Sequence, residues 1–400
     1  MKKLFVLFFY LFISISFSAP KPYVILVSFD AFRWDYPNRG LTPNLDKVKR
    51  EGVSALSLRP AFPSKTFPNH ISIITGMYPA HHGIIANNFY DPFHKSGYRM
   101  KDTSSTRNEK WYLGEAFWET AERQGIISAN YFWPGSELKE PARRSTYREL
   151  FELNRPYEKR VEDVIEWLKL PDGVRPHFIT VYFQDTDTYG HQYGPDSPEV
   201  NGSIKRMDQI AGLLINKLDE IKMRDSVNII FVSDHGMTEV SEKRIINVEK
   251  IVGSDKAKFY DDGPVMMVQP AGDNSNEVYE LLKKNEKNYH VYRREEIPGY
   301  YHYSDHPYIP PIVIIADLGW TLLTNKIPEW IGRDKGNHGY DNNQIDMHGI
   351  FLAEGPSFKS NYTTGTLWNI DIYSLLCKIF NIIPRANIDG DLNRIEFILK

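Results

Sequence analysis

The segment Tyr23-Val24-Ile25-Leu26-Val27-Ser28-Phe29-Asp30 is a run of mostly apolar residues that ends at a carboxylate. A run without polar alternation is typical of a parallel strand that is buried on both faces. The pattern recurs at residues 178–183, shortly before Asp187, and at 227–232, shortly before Asp234. Three such runs predict neighbouring strands of one parallel sheet, each followed by an acidic residue.

Helical segments are predicted between and after these strands, at residues 42–51, 115–124, 157–168 and 203–222. Strands that alternate with helices indicate an α/β fold with a doubly wound, mostly parallel sheet flanked by helices. From about 241 to 336 the sequence is polar and rich in Tyr, Pro and Lys, which predicts a smaller inserted subdomain. A return strand at 350–353 and a closing helix at 367–380 are expected after it.

The first residues have the layout of a secretory signal. Lys2 and Lys3 precede an apolar run that extends to Phe17, and small residues follow it. Residues 1–18 are therefore predicted to be a signal peptide, with cleavage after Ser18 or Ala19, although a retained anchor is an alternative. The mature chain, 19–400, would be a catalytic domain exported to the periplasm or secreted, with no stable membrane span.

Bulk composition indicates a globular protein without a strong net charge. The chain has 400 residues, of which 42% are hydrophobic and 25% charged, as in globular proteins with a sizeable core. A formal net charge of −3 gives no reason to expect a nucleic-acid duplex or an anionic membrane as a partner. Composition does not indicate the oligomeric state.

The stretch Phe62-Pro63-Ser64-Lys65-Thr66-Phe67-Pro68-Asn69-His70 predicts the start of a helix, because Ser, Thr and an early Pro favour that position. Thr66 would lie at the positive end of this helix, where backbone N–H groups attract anions. Its hydroxyl could cap the helix, bind a metal or attack an electrophile. The sequence around Thr66 alone does not decide among these roles.

Ligands of open α/β sheets bind beyond the carboxyl ends of the strands. The side chains expected together at that edge are Asp30, Thr66, Asp187, His191, Asp234, His235 and His348. Each has a structural alternative, such as an Asp that caps a helix or a hydrogen-bonded His. Three carboxylates in one place repel each other, and a pair of divalent cations relieves that repulsion.

Carboxylates combined with imidazoles are ligands suited to zinc. The seven side chains divide into two sets, one for each ion. The first set is Asp187, His191 and His348, and the second is Asp30, Thr66, Asp234 and His235.

Several short motifs, in order along the chain, resemble those of the nucleotide pyrophosphatase/phosphodiesterases of the alkaline phosphatase superfamily. They are Lys65–His70, Thr75–Pro79, His82–Ile84, Asn87, Tyr90–Pro92, Phe132–Ser136, Asp187 to Pro195, Ser233–Met237, His338–Asp341 and Met347–Gly349. The resemblance extends over nearly the whole mature chain and is greatest to compact, single-domain members of bacterial type. It implies an alkaline-phosphatase-like fold.

The same resemblance implies an activity and roles for individual residues. Two Zn²⁺ ions per chain would be held by the two ligand sets, Thr66 would be the nucleophile, and Asn87 would donate to a phosphate oxygen. Phe67 and Tyr157 would sandwich a nucleobase, and Trp133 and Tyr182 would line the same slot. The implied reaction releases nucleoside 5′-monophosphates from nucleotide phosphodiester and pyrophosphate bonds through a phospho-threonine intermediate.

Alternatives remain open at this stage. The aromatic side chains could be ordinary core residues. Asp185-Thr186-Asp187 replaces the Glu-Pro-Asp of many relatives, so the loop lacks a proline, and Asp185 is expected to lie outside the ligand set. A glycerophosphodiester or lysophospholipid headgroup is the close rival substrate, for which the Tyr-rich segment 292–308 could form a cage. A phosphomonoesterase and a catalytically inactive nucleotide-binding protein are more distant rivals.

Overall fold

An eight-stranded sheet forms the centre of the computed structural model, which describes residues 21–326, 328 and 331–400. The predicted signal peptide lies outside these residues. The strands, in their order across the sheet, are Tyr362–Thr364, Val53–Ala55, Phe351–Glu354, Val227–Val232, Tyr23–Phe29, Phe178–Phe183, Ser128–Tyr131 and Tyr147–Glu149.

The predicted first strand lies at the middle of this sheet. Tyr23–Phe29 pairs in parallel with Phe178–Phe183 on one side and with Val227–Val232 on the other. Phe351–Glu354 is antiparallel to both of its neighbours, so it begins at the edge where the parallel strands end. The prediction of a mostly parallel α/β sheet is therefore confirmed.

Helices cover both faces of the sheet. Ile25 and Val27 share a core with helices Pro43–Glu51, Tyr157–Leu168 and Pro198–Glu220. Val24 and Leu26 point to the other face, where they share a core with helices Thr66–Thr75, Phe117–Arg123 and Ile372–Phe380. Further helices span Pro79–His82, Thr103–Thr106, Asp185–Tyr193, Val248–Val252 and Ser275–Lys284. Within the described part of the chain, no helix is long and apolar enough to cross a membrane.

Of the predicted helices, only 157–168 has its predicted bounds. Two others begin or end within two residues of them, at Pro43–Glu51 and Phe117–Arg123, and the remaining two start five residues away from the predicted position. The longest helix starts at Pro198, five residues before its predicted start, because the Ser197 hydroxyl accepts a hydrogen bond from the Val200 N–H at 3.2 Å and caps it. The closing helix starts at Ile372 because Leu367–Trp368 instead forms a short strand paired with Leu58–Arg59.

A second, antiparallel sheet lies wholly within residues 241–336. Its strands, in order, are Ala257–Tyr260, Val265–Pro270, Ile312–Ala316 and Tyr289–Arg293. It contacts the segment that carries the nucleophile candidate, because Lys65 forms a buried ion pair with Asp261. The Tyr303 hydroxyl also donates to the Ile85 carbonyl at 2.8 Å.

Candidate active site

Thr66 is the first residue of helix Thr66–Thr75, whose preceding residue, Lys65, is extended. Its N–H is one of the groups at a helix start that have no acceptor within the helix. Its hydroxyl oxygen lies 3.1 Å from Nε2 of His235, which follows the strand Val227–Val232. The helix thus presents both a hydroxyl and a backbone donor at the carboxyl edge of the sheet.

Three buried or half-buried carboxylates lie at this edge, and each has an oxygen without a hydrogen-bond partner in the described residues. These atoms are Asp30 Oδ1, Asp187 Oδ1 and Asp234 Oδ2. Nε2 of His235 lies 3.4 Å from Asp30 Oδ1 and 3.0 Å from Asp234 Oδ2. Unpaired buried carboxylate oxygens are costly unless a cation faces them.

Three imidazoles are oriented as metal-binding histidines usually are. His191 Nδ1 donates to the Gly336 carbonyl at 2.9 Å, and His235 Nδ1 donates to the Gly236 carbonyl at 2.8 Å. His338 Nδ1 donates to the Ser64 carbonyl at 3.0 Å. Each bond places a proton on Nδ1, so Nε2 is the ring nitrogen that can bind a cation.

These side chains form two overlapping groups that could each hold a metal ion. One group is Asp187, His191 and His338, and the other is Asp30, Asp187 and His235, with the ligand atoms of each group within 4.8 Å of one another. Thr66 and Asp234 both contact His235. Six of the seven predicted ligands therefore lie in one place.

The expected position of His348 is wrong. Its Nδ1 is 2.9 Å from the Ser57 hydroxyl, and its Nε2 donates to the Asn342 carbonyl at 3.0 Å. Both ring nitrogens are therefore used within the protein. Burial lowers the pKa of His348 to about 4, so the ring is neutral.

His338 occupies the position that the sequence analysis gave to His348. Its Nε2 lies 3.5 Å from Asp187 Oδ1, and its ring centroid lies 5.0 Å from that of His191. His338 belongs to a motif that carried the family resemblance, which was the available signal for its role. His348 was favoured because it immediately precedes Gly349 and the last predicted strand at this edge.

Electrostatics of the cluster favour cations. Burial raises the pKa of Asp30, and repulsion from Asp234 and Asp187 raises it further. Burial raises the pKa of Asp187, but His191, His338 and His235 together lower it by more. The pKa of Asp187 therefore falls to about 2. Without a metal, protonated imidazoles balance part of the carboxylate charge, and a bound divalent cation would displace those protons.

Asn87 is held beside the nucleophile candidate. Its Oδ1 accepts a hydrogen bond from the Phe67 N–H at 3.2 Å. Because the carbonyl end of the amide is used in this way, the NH₂ end is the group that remains for an anionic substrate oxygen. Asn87 is thus positioned through the backbone of the residue that follows Thr66.

A cavity of about 340 Å³ opens beside Thr66, and we call it the aromatic cavity. Its aromatic lining residues are Phe67, Phe132, Trp133, Phe151 and Tyr182. Trp133 is 1% exposed and its Nε1 donates to the His70 carbonyl at 3.2 Å, so it forms part of the wall. The Tyr182 hydroxyl donates to Asp30 Oδ2, which joins the wall to the cluster.

Tyr157 does not line the aromatic cavity, contrary to expectation. Its ring packs against Phe183, with centroids 5.7 Å apart, and its hydroxyl donates to Asp185 Oδ1 at 3.1 Å. Phe151, which the sequence analysis did not select, lines the cavity and is 46% exposed. Tyr157 was chosen from the family resemblance, and Phe151 lies six positions before it in the chain.

The segment that lacks a proline forms the first turn of helix Asp185–Tyr193 instead of a loop, and other contacts hold it. Asp185 accepts hydrogen bonds from the Ser203 hydroxyl at 2.6 Å and from Arg206 Nε at 2.9 Å, both on the longest helix. The Thr186 hydroxyl donates to the Asp30 carbonyl. Asp185 therefore anchors this first turn, and Asp187 alone of the two acids faces the imidazoles.

Comparisons with known proteins agree with this geometry. The sequence profile of a family described as type I phosphodiesterase / nucleotide pyrophosphatase matches residues 24–341. Human ectonucleotide pyrophosphatase/phosphodiesterase family member 5 is 36% identical over 359 residues, which cover 90% of this chain and 74% of that protein. Bis(5′-adenosyl)-triphosphatase of Xenopus laevis is 36% identical over 382 residues, which cover 94% of this chain and 82% of that protein.

A solved structure extends the similarity to three dimensions. Murine ectonucleotide pyrophosphatase/phosphodiesterase 5, as an inactive threonine-to-alanine variant in complex with AMP, matches with a TM-score of 0.90 and 34% identity. The match covers 95% of this chain and 100% of that chain. The chain therefore belongs to the type I phosphodiesterase / nucleotide pyrophosphatase family and is a phosphodiesterase/nucleotide pyrophosphatase hydrolase.

Proposed function

We propose that this protein is an exported enzyme that hydrolyses nucleotides to nucleoside 5′-monophosphates, with Thr66 as the nucleophile. The observation that carries the proposal is the position of the Thr66 hydroxyl, 3.1 Å from His235 Nε2 at the start of a helix. The unpaired oxygens of Asp30, Asp187 and Asp234 lie in the same cluster. Export rests on the layout of residues 1–18 and accords with the "ecto" in the names of the relatives.

The residues of the cluster fit two divalent cations, and we propose zinc. Asp187, His191 and His338 would hold one ion, and Asp30, Thr66, Asp234 and His235 would hold the other. The fit rests on carboxylate oxygens without partners and on imidazoles whose Nδ1 is bonded to a carbonyl, which leaves Nε2 as the atom to bind a cation. Such ions, when bound, stabilise negative charge on oxygen and lower the pKa of an alcohol or a water.

Thr66 and Asn87 have different roles in the displacement. The Thr66 hydroxyl gives its proton to water and Oγ1 forms a bond to phosphorus, while the bond from phosphorus to the leaving oxygen breaks and the leaving group takes the electron pair. The Asn87 amide and the Thr66 N–H would donate to a non-bridging oxygen of the substrate. A diester carries a single negative charge there, which neutral donors are able to stabilise. Water then cleaves the phospho-threonine and releases the nucleoside 5′-monophosphate.

The aromatic cavity supports a nucleoside as the group that stays on phosphorus. Phe67 follows Thr66 directly, and Phe151 is an exposed aromatic ring on the lining of the same cavity. Stacking on such rings contributes about 1–3 kcal/mol per base. The murine relative in complex with AMP supports the same class of ligand.

The rival lipid-headgroup substrate has less support. The Tyr-rich segment would have to form an open cage, but Tyr301 is 4% exposed and Tyr303 is 1% exposed. Their rings pack on Phe62, with centroids 4.3 and 5.2 Å away. These two tyrosines belong to a core, so neither is available to surround a choline-type cation.

The test is a substrate panel on zinc-replete protein, compared with Thr66→Ala. We expect the wild type to hydrolyse nucleoside 5′-triphosphates and nucleotide phenyl esters faster than a choline phosphoester or a phosphomonoester. Thr66→Ala should lose at least about 1,000-fold in turnover while it still binds AMP, because only the nucleophile is removed. Unchanged turnover would refute the role of Thr66, and faster hydrolysis of the choline ester would refute the substrate class.

A further inference from the structure

A second and larger cavity adjoins the cluster. It has a volume of about 800 Å³, and we call it the polar cavity. Asp187 and His191 form its inner wall, and Lys101 and Arg333 lie on its lining with Thr188 and Gln192. Only Met100 and Lys101 line both this cavity and the aromatic cavity.

The two cavities lie at opposite ends of a row of contacts. Thr66 Oγ1 contacts His235 at 3.1 Å, and the His235 ring stacks on His338 with centroids 3.6 Å apart. His338 Nε2 then lies 3.5 Å from Asp187, whose other neighbour is His191. Thr66 lines the aromatic cavity, whereas Asp187 and His191 line the polar cavity. The polar cavity therefore begins at the end of the row that is farthest from the nucleophile.

An in-line displacement requires the leaving group to depart on the side of phosphorus opposite the attacking oxygen. If the nucleoside that stays on phosphorus occupies the aromatic cavity beside Thr66, the polar cavity is the remaining space at the Asp187 end. We propose that the polar cavity receives the leaving group, and that Lys101 and Arg333 favour leaving groups that carry further phosphates. This inference rests on the proposed function and adds to it the chemical class of the leaving group.

Charge and size on this side fit such a group. Arg333 is 68% exposed, with its Nε 3.6 Å from Asp334 Oδ1, so its guanidinium is accessible from the cavity. Lys101 lies where the two cavities meet, which suits a contact with the first phosphate beyond the cleaved bond. A volume of about 800 Å³ accommodates pyrophosphate or a nucleoside polyphosphate, and Arg and Lys are the residues that bind phosphate best.

The test compares two substrates that transfer the same thymidine 5′-phosphoryl group. Thymidine triphosphate releases pyrophosphate, whereas the p-nitrophenyl ester of thymidine 5′-monophosphate releases p-nitrophenolate, which carries no further phosphate. The measured quantity is the ratio of kcat/KM for the triphosphate to kcat/KM for the ester. We expect Arg333→Ala to lower this ratio about three-fold, and the double variant Arg333→Ala/Lys101→Ala to lower it about ten-fold. The expected effects are small because contacts between solvent-exposed charges contribute little free energy.

Two controls separate charge from structure. Arg99→Ala removes an exposed cation at the end of the strand Ser96–Arg99; Arg99 lines neither cavity, so the ratio should stay unchanged. Arg333→Lys should restore most of the ratio, and the wild-type ratio should fall as salt rises from roughly 0.05 to 0.5 M, because screening weakens exposed charge contacts.

The outcomes are distinguishable from those that test the proposed function. If the wild type hydrolyses both substrates but Arg333→Ala and the double variant keep the wild-type ratio, the leaving-group assignment is overturned and the proposed function stands. If the wild type hydrolyses neither substrate, both the proposed function and this inference fail.

Discussion

The imidazole rings of His235 and His338 stack face to face, with centroids 3.6 Å apart and planes 9° from parallel. Burial lowers the pKa of His338, and the neighbouring His235 lowers it further, so His338 stays neutral. A neutral ring whose Nδ1 is bonded to a carbonyl offers Nε2 as a ligand. The stack thereby joins the two groups of proposed ligands into one site.

Replacement of His338 should remove a metal ligand, whereas replacement of His348 should not. We expect His338→Ala to lower the bound metal by about one ion per chain and to lower kcat/KM by more than about 100-fold. His348→Ala should keep its metal and lose about 1–3 kcal/mol of unfolding free energy, because Ser57 and Asn342 lose their partner. Elemental analysis, kinetics and urea unfolding check both variants. Metal loss in His348→Ala alone would contradict the assignment.

Asn87 should act on the transition state through its NH₂ group. We expect Asn87→Ala to lower kcat/KM for a nucleotide diester by about 100-fold, because one donor to the developing charge is lost. The adjacent Asn88 supplies a matched control, since it is exposed and bonds to Asp261 at 3.3 Å. Asn88→Ala should change kcat/KM less than about two-fold. Equal effects of the two variants would show that Asn87 has no special role.

Phe151 should bind the base, and Tyr157 should not. Phe151→Ala should raise KM for a nucleotide about ten-fold, which corresponds to the loss of one stacking contact. The same variant should change KM little for bis(p-nitrophenyl) phosphate, which has no base. Tyr157→Phe removes the bond to Asp185 and keeps the ring, so it should leave both KM values near those of the wild type. A large KM effect in Tyr157→Phe but not in Phe151→Ala would reverse the assignment.

The metal-free protein should lose stability at alkaline pH. Burial lowers the pKa of His191, but Asp187 raises it by more, to about 9. Because this folded-state pKa lies above the ordinary 6.5, the ion pair stabilises the fold fully below pH 6.5 and is lost as pH rises to about 9. We expect a loss of about 1–2 kcal/mol after screening is allowed for.

Urea unfolding of chelated protein at pH 6 and pH 9 measures that loss. The control is His191→Gln, in which the change between the two pH values should be smaller by the same amount. Parallel pH dependences in the wild type and the variant would mean that His191 does not carry the effect.

The sequence was sufficient for the sheet because its strands are long apolar runs that only a doubly covered sheet buries. Tyr23–Phe29, Phe178–Phe183 and Val227–Val232 were recognised in this way, and they are the three central strands. Short strands such as Leu367–Trp368 were missed because two residues carry no periodicity, and pairing with Leu58–Arg59 decides their structure.

Errors in the site had a different origin. His338 and His348 both belong to motifs that carried the family resemblance, and the hydrogen bonds of their ring nitrogens distinguish them. Tyr157 and Phe151 lie six positions apart, and tertiary contacts with Phe183 and Asp185 decide which ring faces the cavity. Orientation of a side chain depends on partners distant in sequence, which spacing does not reveal.

The most direct test of the account is mass spectrometry of the peptide that contains Thr66, after acid quench of zinc-replete enzyme during turnover of a nucleotide diester. The account predicts a nucleoside monophosphate bound covalently to the Thr66 oxygen in the wild type, and no adduct in Thr66→Ala. An adduct on a different residue, or full turnover by Thr66→Ala with no adduct, would contradict it.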